Sequence, residues 1–83
     1  MLVIIDVIDY FVGKKSNKWI GKSTFDLNIF DYRKDDIQEM NQQITYTSTK
    51  PDRQSLQSAK QALAESYRKT LTETIHSIIH LME

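Results

Sequence analysis

No cysteine occurs in the sequence, so disulfide bonds, a thiolate nucleophile and thiolate metal ligation are all excluded. That absence suits a reducing cytosol and a disulfide-free periplasmic domain equally. Excess charge of one sign is missing too: 11 basic and 11 acidic residues leave a net charge of zero. A nucleic-acid domain normally carries a basic surplus to neutralise phosphates. Glycine and proline are scarce, with two and one residues respectively, so long elements joined by few turns are expected. There is no Gly-rich phosphate loop and no Ser-centred elbow. Long apolar runs are absent as well. The most apolar stretch, Met1 to Val12, holds Asp6 and Asp9 and follows no basic residue. It has about half the ~20 residues a membrane span needs and reads as a strand rather than an export signal. The chain is therefore expected to be cytoplasmic by default, or periplasmic as part of an envelope protein. At 83 residues and 40% hydrophobic, it has the size and composition of one globular domain.

What is present patterns as three strands and a helix. Residues 2–12 are rich in Val, Ile, Tyr and Phe, which suit a pleated surface. Gly13 to Asn17 has the composition of a turn. From Trp19 to Asp31 the chain alternates: Trp19, Phe25, Leu27 and Ile29 share one parity, and Lys22, Thr24, Asp26 and Asn28 the other. Period two marks a half-buried strand over 18–31. Tyr32 to Asp36 is a second polar turn, and Ile44 to Thr47 marks a third strand within 37–48. Pro51 suits a first helical position, with Ser48 or Thr49 near enough to cap. Leu56, Ala59, Leu63, Tyr67, Leu71, Ile75, Ile78 and Met82 then recur every three or four residues over 51–82, as one apolar helix face would. The expected fold is α+β: an antiparallel meander of strands 2–12, 18–31 and 37–48, with the helix 51–82 across one sheet face.

This pattern makes specific demands. Pairing Asp6 with Asp26 is unfavourable, so the first hairpin is expected to set Phe11 opposite Trp19, Ile5 opposite Phe25 and Asp6 opposite Thr24. The helix is expected to bury Leu63, Tyr67, Leu71 and Ile78. Strand parity then leaves Ile4, Ile8, Tyr10, Val12, Ile20, Phe30 and Tyr32 on the sheet face away from the helix, a patch larger than soluble monomers usually expose. Met40, Ile44 and Tyr46 are expected either to reach the helix side through a bulge between Asp31 and Met40, or to join that second face.

Three constellations bear on chemistry. Glu73, His76, His80 and Glu83 project from one side of the helix and are weak candidates for a metal site, for which a solvated polar face is the plainer reading. Lys14, Lys15, Lys18 and Lys22 surround Trp19, an arrangement able to grip a phosphate backbone and stack a base. Lysines at strand ends also guard sheet edges against unwanted pairing, and the neutral total charge favours that plainer role. Asp6 and Asp9 have opposite parity, as do Asp26 and Asp31, so no carboxylate pair is expected to converge. Nothing nominates the converging groups that catalysis needs, and neither an enzyme nor a cofactor is expected.

The runs Trp19-Ile20-Gly21-Lys22-Ser23-Thr24-Phe25-Asp26-Leu27-Asn28-Ile29-Phe30, Ile44-Thr45-Tyr46 and Ser55-Leu56-Gln57-Ser58-Ala59-Lys60-Gln61-Ala62-Leu63 resemble the closing half of small bacterial envelope lipoproteins that serve ABC-type transport systems. That resemblance covers most of the chain. It implies a meander followed by a long helix, Ala-rich at its start, and a scaffolding role in an envelope complex. The sequence is thus expected to act as a non-enzymatic protein-interaction module, self-associating or docked in a larger assembly. The alternative is a small nucleic-acid-associated protein, of the kind mobile elements carry, using the Lys14–Lys22 hairpin.

Overall fold

The structure, a computed structural model, describes residues 1–33, 36–53 and 55–82. Its elements are β1 (Leu2–Lys15), β2 (Lys18–Asp31), β3 (Gln38–Pro51) and α1 (Ser55–Met82), with the antiparallel sheet in the order β1-β2-β3. The α+β meander with a helix packed on it is thus present.

The first hairpin is tighter than its composition suggests. Only Ser16 and Asn17 lie outside the strands, with φ of 49° and 60°, as a two-residue turn of the twisted hairpin type requires. The expected loop over 13–17 is therefore mostly strand. The expected register is overturned as well. Val7 pairs with Phe25, Asp6 with Asp26 and Lys14 with Trp19, and the register shifts between Val7 and Asp9. Two demands conflict here. The two-residue turn sets Lys15 opposite Lys18, whereas core packing sets Val3, Ile5 and Val7 opposite Ile29, Leu27 and Phe25. One extra residue, Ile8, reconciles them as a β-bulge. The Asp6–Asp26 juxtaposition persists because it lies on the outer face, where Asn41 donates to Asp26 at 3.1 Å.

β3 pairs with β2 without interruption from Lys18↔Pro51 to Asp31↔Gln38. The expected bulge between Asp31 and Met40 is absent from this ladder. Met40, Ile44 and Tyr46 face Ile29, Phe25 and Ser23 and so join the helix side in regular register, because the connection alone sets which parity meets which. Of the polar turn over 32–36, Lys34 and Asp35 lie outside the described residues. Pro51 closes β3 instead of opening the helix, which starts at Ser55.

The helix differs most from expectation. The residues it buries are Ser58, Ala59, Ala62, Ser66, Thr70 and Thr74, not the large apolar series. Leu63, Leu71 and Ile78 are half-buried, and Tyr67 is exposed. Gly21 explains the choice. A Cβ there would stand 2.3 Å from the Ala62 carbonyl oxygen, so the helix backbone rests directly on β2. Only small side chains fit such an approach. Their hydroxyls are satisfied locally: Ser66 donates to the Leu63 carbonyl at 2.8 Å, Thr70 to the Ser66 carbonyl at 2.8 Å and Thr74 to the Thr70 carbonyl at 2.7 Å. Ser23 Oγ and Ser66 Oγ share a further bond of 2.9 Å. Among the described residues no buried side-chain polar atom lacks a partner, so this polar interface avoids the desolvation cost of unpaired groups.

Candidate interaction surface

The large apolar residues that the helix does not bury gather along one side of the molecule. α1 lies mainly over β2 and β3 and touches β1 least. Its β3-facing side is polar: Lys50 pairs with Glu65 at 2.7 Å, and Lys69 lies 4.0 Å from the same carboxylate. That pairing, chiefly the Lys50 hydrogen bond, lowers the Glu65 pKa. The opposite side of the helix carries Leu63, Tyr67, Leu71, Ile75 and Ile78. Tyr67 marks where this side meets β1, with its ring 5.3 Å from Tyr10 and 5.2 Å from Phe25, both edge-on. Beside it, the helix-facing residues of β1 are uncovered: Ile5 is 41% exposed, Val7 52% and Tyr10 52%. β1 is also a sheet edge, hydrogen-bonded to β2 alone.

The seven residues assigned from parity to the second sheet face do not form one patch. The bulge at Ile8 turns Tyr10 and Val12 to the helix side, where they pair with Ser23 and Gly21. Ile4, Ile20 and Phe30 stay on the outer face, opposite Asn28, Gly13 and Leu2 respectively. A polar centre separates them, in which Asn41 donates to Asn28 Oδ1 at 2.6 Å and Thr24 bonds Thr45 at 2.9 Å. Ile8 is the bulged residue itself, and Tyr32 lies beyond the end of β2; each is 50% exposed. The same bulge corrects the carboxylate reading, because Asp6, Asp9 and Asp26 share the outer face. Asp31 sits on the other side, bound by the Arg33 guanidinium at 2.9 Å, and those hydrogen bonds hold its carboxyl well below the usual range.

The hairpin residues of the nucleic-acid reading are drawn into a structural clasp. Lys14 Nζ lies 2.6 Å from Asp52 Oδ2, and Trp19 Nε1 donates to Asp52 Oδ1 at 3.0 Å. The Asp52 amide also donates to the Asn17 carbonyl at 2.9 Å. Asp52 thereby ties the hairpin tip to the approach to the helix, and the Lys14 hydrogen bond first, then that of Trp19, lowers its pKa. Lys22 stands 6.0 Å over the Phe11 ring, while Lys15 and Lys18 are exposed on the outer face.

Of the metal candidates, His80 lines an open groove of about 470 Å³ with Leu27, Ile29 and Met40. Glu73 lies in a separate groove beside Tyr46 and Arg68. Glu83 lies outside the described residues. Among the described residues no three His, Asp or Glu side chains are grouped to hold a metal, and no helix is long and apolar enough to cross a membrane. Comparison with family models, curated proteins and solved structures finds no match to this chain.

Proposed function

We propose that the chain is a non-enzymatic protein-interaction module whose contact surface is the apolar flank formed by β1 and the helix side that overhangs it. The observation that carries this reading is an imbalance. Among the described residues, four large apolar side chains are buried (Phe25, Leu27, Ile29 and Ile44), while sixteen are exposed, Ile5, Val7, Tyr10, Tyr67 and Ile75 of them on this flank. Covering a half-exposed residue of this kind would contribute about half of the roughly 1.5–3 kcal/mol that burying a whole apolar side chain supplies. A small domain has a thin stability margin, and its partner would supply what its own core lacks. The resemblance to auxiliary envelope lipoproteins makes an envelope assembly the proposed setting.

The nucleic-acid reading is the alternative. What favours the flank is that Lys14 and Trp19, the centre of the basic hairpin, are already engaged by Asp52. Two titrations separate the readings: an apolar naphthalene sulfonate dye, and a fluorescent single-stranded oligonucleotide, each in rising salt. The flank reading expects dye binding that survives salt and is lost on Val7→Lys or Ile75→Glu. Tight oligonucleotide binding that collapses with salt, with no dye bound, would replace it.

A further inference from the structure

We infer that the occupant of this flank is a second copy of the same chain, joined edge to edge through β1 in antiparallel fashion about a two-fold axis. The inference rests on the flank reading above and specifies its partner.

The two sheet edges are not equally open. The sheet has two edges, β1 and β3. β3 ends in Pro51 and carries Glu39, Asn41, Gln42 and Gln43, and the helix side above it is charged. β1 carries neither proline nor a helix-facing charge between Leu2 and Val12. Its main-chain N–H and C=O groups on the free side need partners, and an uncovered apolar edge strand is a template for another strand.

One two-fold operation satisfies both parts of the flank. It joins β1 to β1 in a six-stranded sheet and turns the two overhanging helix sides toward each other. Between them lies a trough floored by Val7 and Tyr10 from both strands and walled by Tyr67 and Leu71. This explains the division of labour on the helix: small residues where it rests on its own sheet, large ones where it faces a gap. The helix-facing residues of β1 from Val3 to Val12 carry no charge, so like-charge repulsion does not oppose their pairing with a second copy, as an isologous interface requires.

Exposure and charge along β1 place the axis. The most exposed large apolar residues of β1 are Val7, Ile8, Tyr10 and Phe11, at 50–52%, with Asp9 between them half-buried. The bulge turns Asp6 and Asp9 to the outer face, and Lys15 shares that face at the far end of the strand. Counted through the bulge, an axis at Phe11 sets Lys15 of one strand opposite Asp6 of the other on the shared outer face. It also brings the copy's Asp9 side of the strand over Gly13, above which there is open space, and sets the helix crossing near Tyr67.

The area of the flank suits such a pairing. The molecule measures 56 × 20 × 15 Å, so one long side offers roughly 800–1,100 Å². Overlap along about two-thirds of it buries roughly 1,100–1,500 Å² over both copies, which clears the ~1,000 Å² expected of a biological interface.

The absence of cysteine makes the test clean. Single variants Leu2→Cys, Ile8→Cys, Phe11→Cys and Lys15→Cys are oxidised mildly and run without reductant, beside light scattering on the reduced proteins. Phe11 and its copy meet at the axis, whereas Lys15 and its copy, four positions away, stand roughly 27 Å apart at ~3.4 Å per residue. A disulfide needs Cα atoms within about 7 Å. The expected result is twice the 9.7 kDa chain mass and cross-linking that is fastest at Phe11→Cys, at least tenfold slower at Lys15→Cys and undetectable at Leu2→Cys. Ile8→Cys, at the bulge, falls between. A two-chain mass with no cross-link along β1, or with equal rates at all four positions, overturns the antiparallel pairing while leaving the flank reading intact. A monomer that still binds the apolar dye overturns the second copy alone, and a monomer that binds none overturns both.

Discussion

At the scale of single residues, Gly21 is the most constrained position in the sheet. A Cβ at 2.3 Å from the Ala62 carbonyl oxygen meets backbone, which cannot swing aside. Gly21→Ala therefore forces the helix off β2 and is expected to cost about 1–3 kcal/mol, as overpacking does, measured by urea denaturation. The turn invites the opposite change. Ser16 and Asn17 hold left-handed backbone without being glycine, which is costly for a serine. Ser16→Asn combined with Asn17→Gly, the favoured pair for this turn, is expected to stabilise by about 0.5–1 kcal/mol and raise the melting temperature by a few degrees. Asp52 couples to pH. Its folded pKa is depressed by Lys14 and Trp19, so its contribution is fully present above its unfolded value near 4 and is lost as pH falls below it. Trp19 is the sole tryptophan, so its emission in an acid titration reports the clasp directly. Asp52→Asn should flatten that transition, and an unchanged titration would detach Asp52 from it.

At the scale of elements, the helix shows what a sequence pattern reveals and what it hides. The periodicity of Leu63, Tyr67, Leu71 and Ile78 correctly signals a helix, yet it points to the wrong contact face. A parallel series of small residues, Ser58, Ala62, Ser66, Thr70 and Thr74, repeats every four positions and takes the sheet, because Gly21 admits the backbone that closely. Size and polarity scales reward the large series, and only the pairing of a strand glycine with a small-residue stripe hinted otherwise. The alternation over Trp19 to Asp31 was legible because β2 is the central strand, with Phe25, Leu27 and Ile29 each 1% exposed. β1 was legible as a strand but not in register, since a bulge leaves no mark on composition and reassigns Tyr10 and Val12 to the other face. The sequence therefore shows an apolar surplus but not the outline of the candidate surface. These assignments separate under mutation. Ala62→Leu, at a fully buried position, is expected to destabilise by about 1–3 kcal/mol or prevent folding. Leu71→Ala, at a half-buried one, should cost less than the 2–5 kcal/mol of a core truncation. Thermal denaturation of the two variants compares them, and the reverse order would restore the large series to the core.

At the scale of the whole molecule, the fold is a thin slab with one finished side and one unfinished side. Along β3 the helix is edged with ion pairs, and the strand ends in proline. Along β1 the sheet edge, the apolar strand face and the overhanging helix side are open together. A chain of this size gains little from such exposure by itself, and in the proposed function this side is covered in the working protein. The most direct test is light scattering of the parent chain across a hundredfold concentration range, beside a variant carrying both Val7→Lys and Ile75→Glu. The expected result is a parent mass that rises from one chain of 9.7 kDa toward two, while the variant stays at one with its helical circular dichroism preserved. A parent that remains at one chain throughout, or a variant that associates as the parent does, would contradict it.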